Sequence, residues 1–404
     1  MKILWLSHLV PYPPKGGVMQ RSYNLMKEMS KYHDLYIICF FQKSLQPTDK
    51  DRQNAIKGLS QLGKIVNTFE LNSDKSRTHN LWLAIKSLFT RDPYTVNWLK
   101  KDGVSESIQA VINKNAINLV HFDTISWTPY IKDARSCKCV LNHHNIESHM
   151  MLRRAEKEKN IFKKIYFYQE GWKIQAHEQK YCNKFDLNIT CSEVDTGRLK
   201  SISPNIFAHD IPNGVDIDYF YPLGLPETPN SMIFAGGMSW YPNIAAMKFF
   251  VLEVLPRVIK KIPDAHLTII GRNPPAWLSE LGKTSHNITV TGFVDDVRPF
   301  IDKASIYICP INDGGGTKLK ILDALAMGKA IVAHPIACEG INVSDGENVC
   351  YASTAQEFEA NIVMLFSSNA RRKKMGQKGR LLIENEYNFE HIGKNMSNLY
   401  AKLL

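Results

Sequence analysis

No run of about 18 apolar residues occurs anywhere in this 404-residue chain, so no segment of it is suited to crossing a membrane as a helix. The cysteines make no pairing pattern either. Eight are scattered along the chain (Cys39, Cys137, Cys139, Cys182, Cys191, Cys309, Cys338 and Cys350), several inside apolar runs such as Tyr36 to Phe41, which points to buried free thiols in a reducing compartment. Cys137 and Cys139 form only a C-x-C pair with no second pair at zinc spacing, so no metal is expected there. RNP, zinc-finger and helix-turn-helix signatures are all missing, and no nucleic-acid partner is expected. Low-complexity segments and short-period repeats are absent too. With 44% hydrophobic and 22% charged residues, the composition excludes a disordered chain.

What is present suits two domains of roughly 200 residues each. The net charge of +11 implies anionic partners, among which nucleic acid, lipid headgroups and phosphorylated small molecules are the classes to weigh. Short apolar runs alternate with amphipathic stretches, as βαβ units on a parallel sheet require. In the first half the strands are expected at Lys2 to Ser7, Leu35 to Phe41, Ile117 to Asp123, Lys138 to Asn142 and Leu187 to Cys191. Met1 to Ser7 is read as a strand because a signal peptide needs a longer apolar region. The second half restarts the pattern at Ser231 to Gly236, His266 to Gly271, Ile288 to Thr291, Ser305 to Cys309, Ala330 to His334 and Val349 to Ala352. The expected domains are residues 1–210, residues 211–385 and a C-terminal helix, 386–404, that crosses back to the first domain. In such α/β sheets ligands sit beyond the carboxyl ends of the strands, so two domains facing a cleft would place two sets of loops across one site.

The segment Pro310 to Lys329 carries the strongest chemistry. An apolar strand ends in Gly314, Gly315 and Gly316, which permit close backbone approach, and a helix follows whose first turn offers free N–H groups to an anion. Lys318 and Lys320 add cations. Asp323, further along that helix, could accept a pair of hydrogen bonds from the vicinal hydroxyls of a ribose. A flexible glycine turn before an ordinary amphipathic helix is the alternative.

Gly314 to Met327, the junction Ile211 to Asp216, the strand-turn Ile233 to Met238 and the run Val290 to Val294 together resemble retaining glycosyltransferases of family 4, in the family's order and over essentially the whole chain. The resemblance implies the GT-B fold, an α/β architecture of two Rossmann-like doubly wound parallel-sheet domains, and a nucleotide diphosphate sugar as donor with no metal or other cofactor. It implies donor contacts at Gly236, Gly237, Phe293, Val294, Gly315, Gly316 and Thr317, with Asp323 on the ribose. Two departures stand out. The family's pair of glutamates eight positions apart falls here on Gly315 and Asp323, and its loop Arg falls on Gly237. Lys318 and Lys320 are then the nearest candidates to meet the diphosphate charge, as in a subset of the family with a Gly-Thr-Lys-x-Lys pattern.

Similar family loops nominate Gly16 and Gly17, in the proline-stiffened run His8 to Val18, for backbone contacts to the diphosphate and acceptor. The run Leu141 to Glu147 places His143 and His144 at a strand end, where histidine suits proton handling near neutral pH. The resemblance favours His144 for contacting acceptor or donor sugar, with His143 and a purely structural role both open. From Met151 to Lys184 nine Lys or Arg stand against four Glu, interleaved with Ile161, Phe162, Ile165, Tyr166, Phe167, Tyr168 and Trp172. Such a helix either lies on an anionic membrane surface or packs its aromatic face on a core. The expected activity is that of a hexosyltransferase, cytoplasmic or on the inner face of the membrane, moving a sugar with retention to a hydroxyl of a lipid-linked or surface glycan. An epimerase or hydrolase of the same architecture and a silent binding subunit of a glycan-assembly complex are the alternatives.

Overall fold

The computed structural model describes residues 1–14, 17–71 and 77–404. It divides into two compact units, one comprising Met1–Asn213 with Phe389–Leu404 and the other Gly214–Asn388. The divisions fall at Asn213 and Asn388, against the expected 210 and 385.

The first unit holds strands β1 (Lys2–Ser7), β2 (Asp34–Phe41), β3 (Lys64–Glu70), β4 (Leu119–Asp123), β5 (Lys138–Asn142), β6 (Leu187–Thr190) and β7 (Ala208–Asp210). Their spatial order is β3-β2-β1-β4-β5-β6-β7, with every neighbouring pair parallel. Alternation along β1 explains how one strand serves two faces. Leu4 and Leu6 enter a core with Phe122 and Trp127, while Ile3 and Trp5 enter another with Met26, Met396 and Tyr400. Helices cover both faces of this sheet, so its strands read as near-continuous apolar runs.

Two strands escaped the sequence reading. β3 is an edge strand of half-buried and exposed residues with Asn67 and Thr68 at its centre, and β7 has only three residues. Neither presents a buried apolar run. The helix Phe389–Ala401 completes the unit, burying Phe389, Ile392, Met396 and Tyr400 in the same core as Met26 and Met29 of the helix Gly17–Ser30.

The second unit repeats the design with β8 (Thr228–Ala235), β9 (His266–Ile270), β10 (Ile288–Gly292), β11 (Ala304–Cys309), β12 (Ala330–Ala333) and β13 (Cys350–Tyr351), in the order β10-β9-β8-β11-β12-β13. Renumbered within each unit, both sheets share the order 3-2-1-4-5-6 of a doubly wound fold. Chain direction across the sheet therefore reverses between β1 and β4 in one unit and between β8 and β11 in the other. All eight cysteines are free, and only Cys137 is not buried. No described helix is long and apolar enough to cross a membrane.

The two covering helices of the first unit meet at Gly393, where a Cβ would lie 2.2 Å from Glu28 Cβ. Gly393→Ala should therefore destabilise the first unit by about 1–3 kcal/mol through overpacking. A urea-unfolding midpoint unchanged from wild type would contradict the close approach.

Candidate functional site

At the second unit's reversal point, β8 runs into Gly236-Gly237-Met238 and the helix Tyr241–Phe249, while β11 runs into Pro310 to Lys318 and the helix Leu319–Ala326. Gly314 (φ +88°) and Gly316 (φ +66°) take left-handed backbone conformations that side chains disfavour, which lets this loop fold tightly. The two loops touch. A Cβ on Gly314 would lie 3.1 Å from the Trp240 ring, and the Lys318 ammonium sits 6.0 Å from that ring's centroid.

Lys320 ties the loops together from below. Its ammonium donates to Asn243 Oδ1 at 2.7 Å, Asn243 Nδ2 donates to the Gly237 carbonyl at 2.7 Å, and the ammonium lies 4.5 Å from the Phe234 ring centroid. A Cβ on Gly236 would come within 2.5 Å of Lys320 Nζ and displace the ammonium from its place. Lys318 behaves differently. Its Nζ donates to the carbonyls of Gly315 (2.7 Å) and Gly316 (2.8 Å), fastening the loop on itself. Beside them the buried Thr317 Oγ1 has no hydrogen-bond partner among the described residues, a hydroxyl that an anion's oxygen would satisfy.

Asp323 follows Lys320 by one turn. Burial raises its carboxyl to about 8 against the opposing charge of Lys320, and burial lowers the Lys320 ammonium to about 8. Both groups therefore change charge easily near neutral pH. Phe293 and Val294 follow β10, two strands from β8, in a rim joined by the bonds Gly236 N–H to Ile270 O (2.8 Å) and Gly271 N–H to Gly292 O (2.9 Å). Phe293 is exposed, with the Arg272 guanidinium 4.2 Å from its ring centroid. Gly236, Gly237, Gly315, Gly316, Thr317, Lys318, Lys320 and Asp323 are thus gathered at one pair of strand ends.

The first unit's reversal point holds a polar cluster around Asp123, the last residue of β4. Its carboxylate accepts from Asn142 Nδ2 (2.7 Å), His144 Nε2 (2.9 Å) and Ser22 Oγ (2.7 Å). Burial alone would raise this carboxyl, but the charges of His144 and nearby His121 and the hydrogen bond from His144 outweigh it and hold Asp123 well below the usual carboxylate range. Arg21 is buried beside it, donating to Asn142 Oδ1 (3.2 Å), Asn213 Oδ1 (3.0 Å) and the Pro212 carbonyl (3.1 Å). His8, at the end of β1, has its ring 5.7 Å from that of His144, and burial lowers it to about 4.

Between the adjacent histidines the fold discriminates. His143 is buried against Asn188 Oδ1 at 3.2 Å and lowered by burial to about 4, a structural position, whereas His144 reaches the cluster. Gly17 is the exposed first residue of the helix Gly17–Ser30; Gly16 lies outside the described residues. Among the described residues, ligand atoms of His8, Asp123 and His144 lie within 4.8 Å of one another, a group that could hold a cation. The three donors already on the Asp123 carboxylate suit it better to orienting His144. His8, Arg21, Ser22, Asp123 and Asn243 were not singled out from sequence as site residues. The order of the strands was the signal that could have found His8 and Asp123.

Fold and strand-end sites together define a protein of the GT-B class, two Rossmann-like units each with its loops at a reversal point. Residues 229–368, most of the second unit, match the family described as Glycosyl transferases group 1. Over 261 residues the chain is 23% identical to an uncharacterized 44.6 kDa protein in the cps region of Klebsiella pneumoniae (63% of this chain, 66% of that protein). It is 29% identical over 147 residues to the phosphatidyl-myo-inositol mannosyltransferase of Mycobacterium tuberculosis (35% of this chain, 38% of that protein). These matches therefore span about two thirds or less of the curated relatives' lengths. Sucrose-phosphate synthase from Thermosynechococcus elongatus has the same fold, with a TM-score of 0.72 at 16% identity over 100% of this chain and 99% of that one. Family match and relatives support a transferase.

The raised carboxyl of Asp323 has a measurable consequence. Its folded pKa, about 8, lies above the ordinary 3.8, so the folded state holds the proton more tightly and stability falls as pH rises between those values. Asp323→Asn cannot ionise. Its melting temperature should exceed that of wild type at about pH 8 by more than at about pH 5. An equal difference at both pH values would show that Asp323 titrates normally.

Proposed function

We propose that this protein transfers a sugar from a nucleotide diphosphate sugar to a hydroxyl acceptor, with retention, as a family 4 enzyme of the Gly-Thr-Lys-x-Lys subset. The observation that carries the reading is the Lys320–Asn243–Gly237 clamp at the second unit's reversal point. It fixes a cation beside two glycine-rich loops, next to an orphaned Thr317 hydroxyl and the N-terminus of the helix Leu319–Ala326. A diphosphate leaving group gathers negative charge as the glycosidic bond breaks, and preorganised donors in a water-poor site stabilise that charge most. Lys320 supplies the charge, the loop amides and Thr317 supply hydrogen bonds, and Lys318 holds the loop in the receiving shape. Asp323, ionised once bound, accepts the ribose hydroxyls.

His144, held in one orientation by Asp123, contacts the donor sugar or the acceptor hydroxyl. Because Asp123 remains ionised, the imidazole N–H aimed at it is fixed, which leaves the other ring nitrogen to hydrogen-bond the sugar or acceptor. The acceptor is a lipid-linked or surface glycan, in keeping with the names of the mycobacterial and Klebsiella relatives. Neutralisation by lysine and helix N-termini lets the reaction run without a metal, in the cytoplasm where nucleotide sugars are made.

Two measurements test this. In a thermal-shift screen against UDP-, GDP-, ADP- and dTDP-sugars, one donor should raise the melting temperature, and Lys320→Ala should abolish that rise while lowering turnover about 10²–10³-fold. A screen in which no donor stabilises the protein would sink the proposal, and donor binding without any turnover would identify a silent binding subunit. Asp123→Asn keeps the volume but loses the charge that orients His144. It should lower kcat about 10²-fold with the donor's melting shift retained, a split that general unfolding would not give.

A further inference from the structure

Two helices of the first unit, Arg77–Phe89 and Ile161–Tyr181, leave large apolar side chains in solvent. Phe89 is 85% exposed, Phe162 81% and Trp172 62%, and Trp82, Ile85 and Ile165 are exposed as well. The helices are tied together where Gln169 Nε2 donates to the Leu88 carbonyl at 3.0 Å and Lys173 Nζ reaches the same carbonyl at 3.2 Å. That junction holds the end of the shorter helix, with Phe89, against the longer one.

The longer helix already has a core-facing side, made by Phe167, Gly171, Ile174 and Glu178. Its outward stripe is Ile161, Ile165, Tyr168 and Trp172 at helical spacing, with the last two rings stacked at 5.8 Å. A core-packed aromatic face accounts for Phe167 but not for Phe162 or Trp172. Cations rim the apolar residues: Lys86 lies 4.9 Å from the Trp82 ring centroid, and Lys159 and Lys163 are exposed. Of the four glutamates between Met151 and Lys184, Glu170 and Glu178 are buried, leaving exposed Glu156 and half-buried Glu158 against the exposed Lys157, Lys159, Lys163, Lys180 and Lys184.

We propose that this surface docks on an anionic lipid bilayer, its apolar side chains entering the headgroup–acyl boundary and its lysines meeting lipid phosphates. Charge selects the bilayer over a second copy of the chain, because a two-fold pairing would press the same lysines together. The proposal goes beyond sugar transfer and stands whether or not that reading holds.

The test is co-sedimentation of the full chain with phosphatidylcholine vesicles, with and without phosphatidylglycerol. Wild type should sediment with the anionic vesicles and release as salt is raised. Phe89→Ser with Phe162→Ser, both at exposed positions, should weaken binding about tenfold or more, and Lys163→Glu with Lys164→Glu about tenfold at low salt. Both pairs should keep the wild-type melting curve and any nucleotide-sugar shift, which separates docking from donor binding. The proposal is overturned if wild type ignores anionic vesicles or if the variants sediment as wild type does. It is equally overturned if light scattering finds a dimer that the serine variants dissociate.

Discussion

A parallel sheet covered by helices on both faces leaves its chemistry one outlet, the carboxyl ends of its strands where the winding reverses. Everything functional in the two units follows from that constraint. β1 and β4 deliver His8 and Asp123 to one end of the first sheet, and β8 and β11 deliver two glycine-rich loops to the corresponding end of the second. The faces are filled by apolar cores, and buried polar clusters form at those ends.

The units handle buried charge in opposite ways. Asp123 is a buried anion stabilised by three hydrogen-bond donors, with the Arg21 guanidinium held nearby through Asn142. The arrangement holds the carboxyl ionised. Lys320 is a cation with a single amide acceptor, and burial lowers its pKa. Asp323 nearby does not rescue it, because burial pushes that carboxyl upward at the same time. A half-satisfied pair of this kind gains when an anion arrives to supply the missing charge. Under the proposed function the first site orients and the second captures.

How much of this could be read from sequence depended on whether a feature was local. Interior strands announced themselves because burial on both faces demands unbroken apolar runs, and β1 and β5 were placed to the residue. β3 and β7 lie at the edges of their sheet, where that demand lapses, and they passed unseen. The glycine-rich loop and its lysines were visible as a contiguous segment. The partners that give those lysines their roles were not, since Asn243 lies 77 residues from Lys320 and Asp123 lies 21 from His144. Nothing in the local sequence distinguishes Asn243 from any other asparagine at the start of a helix. The same holds for Lys318, whose ammonium looked free to meet a phosphate until the fold turned it onto Gly315 and Gly316.

The loop's departure from the family pattern acquires a physical explanation. A loop arginine at position 237 and a lysine rising from the helix Leu319–Ala326 would be alternative ways to bring positive charge to one place. Under the proposed function the lysine is the one used, and it needs room: a side chain on Gly236 would crowd its ammonium. The loop must then give up its own side chains and hold its shape by other means, which the Asn243 bond to the Gly237 carbonyl provides. Under the proposed function, positive charge comes from a lysine anchored on an amide oxygen in place of a loop side chain. That exchange gives up reach for a geometry fixed before any ligand binds.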